Sequence, residues 1–270
     1  MDVWEAVVLG IVQGVTEFLP ISSTAHVTLA GMLLGGNPQA VAAQWTAFLA
    51  SLQLGSLAAL GWYFRQDLKQ VASAVWAGPS AREGRRLGLA IVVGTLPIGV
   101  FGLLLKPVIE GPLTKEPLLI AGALGGGSLV MALGEFRRGK RQLADIGWRE
   151  ALLIGLGQVL ALLPGSSRSG MTLAAGMLLG VQRADAARFA FLLGIPAIAA
   201  SGGLELMALL RHGSAFSWQA FGGSFLAAFL SSYAAIAFLL RYVRSHSLWV
   251  FILYRLVLAG GVLIGVFHTA

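Results

Sequence analysis

Two short polar clusters interrupt an otherwise apolar chain. The first is QGVTEFLPISSTAH at residues 13–26 and the second is PGSSRSG at 164–170. In the first, Gln13 and Glu17 stand four apart and share a helix face, with Glu17 three residues before Pro20. Ser22, Ser23 and Thr24 follow the proline, and His26 lies three residues after Ser23. Hydroxyl, imidazole and carboxylate at this spacing make a nucleophile with its base: Ser23 to attack, His26 beside its hydroxyl, and Glu17 to position His26. Glu17 and Gln13 together could instead hold a divalent cation through oxygen. The second cluster has the opposite sign. Arg168 sits among Ser166, Ser167 and Ser169, a permanent cation whose five donors match phosphate. The plainer alternative is that the hydroxyls cap broken helices while Arg168 pairs with Glu17.

These residues must be held in a bilayer. Of the 270 residues 57% are hydrophobic and 11% charged, far from the balance of a soluble domain. The net charge of +7 suits basic cytoplasmic loops, not nucleic acid. With no cysteine, disulfides, thiolate metal sites and cysteine nucleophiles are excluded. The opening MDVWE lacks the basic start of a signal peptide, so the chain is expected to be mature as it stands. Six apolar segments are long enough to span, at 44–64, 87–105, 117–135, 188–210, 216–240 and 247–267. Two further regions, 3–19 with 24–35 and 150–163 with 170–180, are pairs of legs broken by proline and polar residues. At about 1.5 Å per residue the shorter legs reach only to mid-bilayer, which predicts re-entrant hairpins.

The broken regions repeat one another. LPISSTAHVTLAGMLLG (19–35) and LPGSSRSGMTLAAGMLLG (163–180) align on the proline, the paired serines and the final GMLLG with one insertion. With each hairpin returning to its own side, Arg65, Lys69, Arg82, Arg85, Arg86, Arg137, Arg138, Lys140, Arg141, Arg149, Arg183, Arg188, Arg241 and Arg244 share one face. Only Lys106, Lys115 and Arg211 face the other, a split of 14 to 3 that marks the first face as cytoplasmic. Both termini are then extracytoplasmic, and the hairpins enter from opposite faces. The expected fold is an all-α integral membrane protein of six transmembrane helices and two opposed re-entrant helical hairpins, one domain over 1–270. Its inverted repeats span about 1–110 and 111–270.

Opposed hairpins bring both polar tips to the midplane, each opening a helix N-terminus there. Those positive dipole ends, the tip hydroxyls and Arg168 describe an anion pocket. Gln53 lies mid-span as a further candidate lining residue. Arg255, on the inner side of the last span, is expected either to snorkel or pair or to take part in catalysis, Glu205 to reach water, and Ser231, Ser232 and Tyr233 to join helices. The rival function class is transport, a lipid-phosphate flippase or anion carrier, since inverted repeats with broken helices also build secondary transporters.

The paired motifs, with LQLGS at 52–56 and LYR at 253–255, resemble the bacitracin-resistance family of undecaprenyl-diphosphate phosphatases over essentially the whole chain. The resemblance implies a bacterial plasma-membrane enzyme that hydrolyses the C55 isoprenyl diphosphate to the monophosphate, recycling the carrier lipid for peptidoglycan synthesis. It implies catalytic roles for Glu17, Ser23, His26 and Arg168. The anion-pocket reading adds Gln13, Ser22, Thr24, Gln53, Ser166, Ser167 and Ser169 as expected substrate-binding residues. A divalent cation, magnesium or calcium, is expected on Glu17 and Gln13, and direct attack by water is the alternative to Ser23. Gln13 stands where the family often has Glu, which puts a two-carboxylate mechanism in doubt, and Ala25 stands where Gly is common. The polyprenyl diphosphate and membrane lipids are the expected partners, with homodimerisation open and no nucleic acid.

Overall fold

The computed structural model describes residues 3–35, 42–76, 81–137, 139–212 and 218–269, and among these it is all helical. Twelve α-helices follow one another: α1 (Val3–Phe18), α2 (Ser23–Leu33), α3 (Ala42–Tyr63), α4 (Arg65–Trp76), α5 (Arg82–Leu104), α6 (Lys106–Glu110), α7 (Pro117–Phe136), α8 (Trp148–Val159), α9 (Arg168–Leu178), α10 (Arg183–His212), α11 (Trp218–Tyr242) and α12 (Trp249–Thr269). Among the described residues, five stretches are long and apolar enough to cross a membrane: Arg82–Leu104, Pro117–Phe136, Arg183–Leu204, Trp218–Tyr242 and Trp249–Val266. The sixth expected span falls on α3, where the side chains of 42–51 lie outside the described residues. So do residues 216–217, Arg138, and the side chains of Glu205 and Arg211.

Proline sets both breaks. A residue before proline is driven out of the helical region, so α1 stops at Phe18 ahead of Leu19 and Pro20. α8 ends at Val159, and after one 3₁₀ turn Leu163 is extended before Pro164. Each new helix then starts from a serine at positive φ, Ser22 at 77° and Ser167 at 72°. Such non-glycine conformations cost about 1–3 kcal/mol and persist where the surroundings impose them. Here each serine caps its helix, Ser22 accepting from the Ala25 N–H at 3.4 Å and Ser167 from the Gly170 N–H at 3.2 Å. The cap fixes the correspondence between the two clusters. Ser22 matches Ser167, and not Ser166 as the paired serines suggest, because the extra residue precedes the cap, where Gly165 adopts φ 107°. Ser23 and Arg168 therefore open their helices at equivalent positions.

The legs pack through glycine. A Cβ at Gly10 or Gly14 of α1 would strike the backbone of α11, and one at Gly155 of α8 the carbonyl of Gly94 in α5, the close approach that small residues allow. α3 lies against both α10 and α11, and α7 against α9 and α12. Prolines 97 and 196 do not interrupt their spans: α5 and α10 run straight through them. Neighbouring helices can make good the one hydrogen bond a buried proline removes. The core centres on α10, where Phe189 and Phe191–Leu193 are buried beside Phe18, Phe64, Met171 and Ile236.

Candidate active site

The two breaks meet. A cavity of about 420 Å³ is lined by Ser22, Ser23 and Thr24 from one and by Ser167 and Arg168 from the other, with Glu17 and Gln53. The first turns of α2 and α9 thus border one space, and free N–H groups at two helix N-termini favour an anion there. Its wall, from Ile98 to Leu103 on α5 and Ala197 to Leu204 on α10, is mostly apolar.

Glu17 is the hub of the polar end, 5% exposed. Its Oε2 accepts from Ser23 Oγ at 2.6 Å and from Gln13 Nε2 at 2.8 Å, while Oε1 accepts from Arg168 Nη2 at 2.9 Å. Arg168 is thus paired with Glu17 but not used up, since its Nη1 is buried without a hydrogen-bond partner among the described residues. A buried donor left idle costs about 1–3 kcal/mol, which a phosphate oxygen would recover. Gly194 on α10 makes the seat for this guanidinium, because a Cβ there would run into Nη1. Gly194→Ala should displace Arg168 and lower turnover about 100-fold, the scale of an ångström-sized misplacement, while the melting temperature moves by only a few degrees. Unchanged turnover would remove the need for that seat.

The expected pairing of His26 with Ser23 is not formed. Nδ1 of His26 lies 2.7 Å from the Ser22 carbonyl and Nε2 lies 2.7 Å from the Tyr254 hydroxyl. A carbonyl only accepts, so Nδ1 carries the hydrogen and a neutral ring accepts from Tyr254 through Nε2. Helical geometry is the reason: a residue four after the cap turns back onto the cap's carbonyl, and the Ser23 hydroxyl finds Glu17 instead. The rings of His26 and Tyr254 also stack, 5.6 Å apart and 13° from parallel. Gln13, Ser166, Ser169 and His26 stand outside the cavity lining. Gln13 lies behind Glu17 and is 1% exposed; Ser169 donates to the Leu19 carbonyl at 3.2 Å, linking the two breaks. Gln53 accepts from Ser201 at 3.5 Å across the cavity wall.

Arg255 does not snorkel and has no carboxylate within 4 Å among the described residues. It is fully buried, 0% exposed. Nη2 donates to the carbonyls of Gly165 and Leu124, both at 3.1 Å, and of Ala123 at 3.5 Å. Nη1 reaches the Pro20 carbonyl at 3.4 Å, and Nε the Ser128 hydroxyl at 3.0 Å. One side chain of α12 therefore holds both proline breaks and α7. Gly127 leaves it room, since a Cβ there would meet Nη2.

Glu17 and Gln13, the expected cation ligands, are bonded to each other here, Gln13 Nε2 donating to Glu17 Oε2 at 2.8 Å. The carboxylate oxygens of Glu17 already accept from three groups. Among the described residues, no group of three His, Cys, Asp or Glu side chains is placed to hold a metal.

A model of the bacitracin resistance protein BacA family matches residues 6–261. The chain belongs to this family. A protein of Syntrophobacter fumaroxidans named undecaprenyl-diphosphatase is 42% identical over 277 residues, covering 99% of both chains. Relatives with the same name in Myxococcus xanthus and in a Synechococcus strain are 44% and 45% identical, covering 96% and 94% of this chain and 87% and 90% of their own. For a BacA-family protein, the site residues that sequence reasoning passed over are Tyr254, Gly194 and the structural use of Arg255. The LYR motif was the one signal for two of them, and their partners become visible only once α12 is folded against the breaks.

Proposed function

We propose that this BacA-family protein hydrolyses undecaprenyl diphosphate to the monophosphate and inorganic phosphate, at the cavity between the two breaks. The observation that carries this reading is the shared space before α2 and α9, where Ser23 Oγ lies 2.6 Å from Glu17 and Arg168 has a donor to spare. The names of its relatives supply the substrate.

An arriving diphosphate competes with Glu17 for Arg168. Nη1 takes a phosphate oxygen, and Nη2 can follow, because a bidentate phosphate contact satisfies the guanidinium better than one carboxylate oxygen. Glu17 then keeps Ser23 and Gln13. The Ser23 hydroxyl passes its proton to Glu17 as the oxygen attacks the terminal phosphorus. The bond from that phosphorus to the bridging oxygen breaks, and the lipid monophosphate leaves with the electron pair. Water subsequently hydrolyses the phosphoserine. Arg168 and the free N–H groups at the two helix starts stabilise the equatorial oxygens of the transferred group. Gln13 and His26 act behind the cavity, Gln13 orienting the carboxylate and His26 holding the first turn of α2. Glu17 and Gln13 would be the residues to hold a magnesium or calcium ion, which would supply positive charge against the phosphate oxygens.

The membrane arrangement follows the charge split. The two broken pairs are re-entrant hairpins from opposite faces of the bacterial plasma membrane, within one domain of two inverted repeats. The exchange of partners supports it: α1 of the first copy packs on α11 of the second, and α8 of the second on α5 of the first. Lys106 and Lys115, which the charge split assigns to the extracytoplasmic side, line the cavity. Asp2→Cys and Thr269→Cys should react with a membrane-impermeant thiol reagent in intact cells and Lys140→Cys should not. Labelling confined to the Lys140→Cys protein would overturn the topology.

Vesicles carrying the purified protein and undecaprenyl diphosphate in one leaflet test function. Monophosphate should accumulate in the supplied leaflet. Intact diphosphate reaching the other leaflet, with no phosphate released, would instead mark a carrier.

A further inference from the structure

Two basic side chains among the described residues are buried with no carboxylate within 4 Å, Arg255 and Lys115. Arg255 spreads its charge over five acceptors. Lys115, 3% exposed, has only two: the Ile109 carbonyl at 2.8 Å and the Thr114 hydroxyl at 2.7 Å. An ammonium has three hydrogens, so one is uncommitted. The residue sits in the 3₁₀ turn Pro112–Lys115, between α6 and α7, and it lines the same cavity as Arg168 and Ser23. Burial pushes its ammonium down to about 8, with nearby Glu110 pulling the other way. Lys106, which also lines the cavity, is already paired with Glu110 at 3.4 Å. A buried charge without a counter-ion is costly, and this one borders a space built for an anion.

We propose that Lys115 is a second phosphate subsite in the catalytic cavity that Arg168 also lines. It rests on the hydrolase reading above and extends it. Cleavage yields two phosphates with different fates, a lipid monophosphate that stays with the bilayer and an inorganic phosphate that must leave through water. The loop between α5 and α7 lies outside both spans, so a cation there can receive the inorganic ion as it departs. It can equally hold the phosphate still attached to the lipid. A single charged hydrogen bond in a buried setting is worth about a tenfold change in affinity or more.

The test uses the full-length protein in detergent, undecaprenyl diphosphate as substrate and added inorganic phosphate as inhibitor. Lys115→Met should weaken phosphate inhibition or raise KM about tenfold with kcat within about threefold, and Lys115→Arg should restore most of the change. A shift confined to the inhibition constant assigns the subsite to departing phosphate. A shift in KM assigns it to the lipid-bound one. If the methionine variant does not fold, Lys115→Gln removes the charge but keeps a donor for the Ile109 carbonyl, and the same shifts are expected. A wild-type enzyme that turns over while neither constant moves in any of these variants overturns the subsite and leaves the hydrolase reading intact. Absence of wild-type turnover would overturn the hydrolase reading itself.

Discussion

Arg255→Met is expected to give a protein that melts at least about 10 °C below wild type, or that does not survive extraction as a single species. The guanidinium satisfies buried carbonyls at Pro20, Ala123, Leu124 and Gly165 and the hydroxyl of Ser128. Stranding such acceptors costs about 1–3 kcal/mol each, in a fold whose whole stability is of order 5–15 kcal/mol. A few kcal/mol translates into about 2–4 °C per kcal/mol at this size. Arg255→Lys separates fold from site. Its single ammonium cannot bridge both breaks, so this variant should recover part of the stability yet remain well below wild-type turnover, because Pro20 and Gly165 are no longer held together. A methionine variant with wild-type melting and activity would show that the breaks are held by packing alone.

Glu17→Gln carries the second large effect. The amide keeps the shape and one acceptor, but it cannot take a proton from Ser23 and no longer balances Arg168. Loss of a general base typically lowers turnover by about 10²–10⁴, and the effect should fall on kcat. KM should hold or drop, since Arg168 is released from its carboxylate for phosphate. A rise in KM with kcat unchanged would make Glu17 a substrate-orienting group and move the base elsewhere. Gln13→Leu provides the graded comparison: it removes one donor to the carboxylate and should cost far less than Glu17→Gln.

Much of this site is legible in the sequence because it is locally encoded. Proline breaks, capping serines and the facing of Gln13 and Glu17 are properties of a few adjacent residues. The ion pair of Arg168 with Glu17 is the alternative that the residues themselves allow, and it coexists with a free donor instead of excluding anion binding. Other features depend on tertiary neighbours. Arg255 reads as a side chain near a membrane surface until Pro20, Ser128 and Gly165 are brought around it. The ring of His26 has two nitrogens, and which partner each finds depends on Tyr254, 228 residues away. Repeat register was misread for a conformational reason: paired serines look equivalent in sequence, but the left-handed cap selects the second of one pair and the first of its counterpart.

On the proposed reading, the cavity between the two breaks cleaves the phosphoanhydride and uses Arg168 to do it. The most direct measurement is inorganic phosphate released per undecaprenyl diphosphate by the purified protein in detergent, beside Arg168→Lys at equal concentration. Wild type should release one phosphate per lipid and leave the monophosphate. The lysine variant keeps charge but loses the planar fork, and should be slower by about 10²–10³, the scale of a lost oxyanion donor. A lysine variant as fast as wild type, or a wild-type protein that leaves the diphosphate intact, would contradict the account.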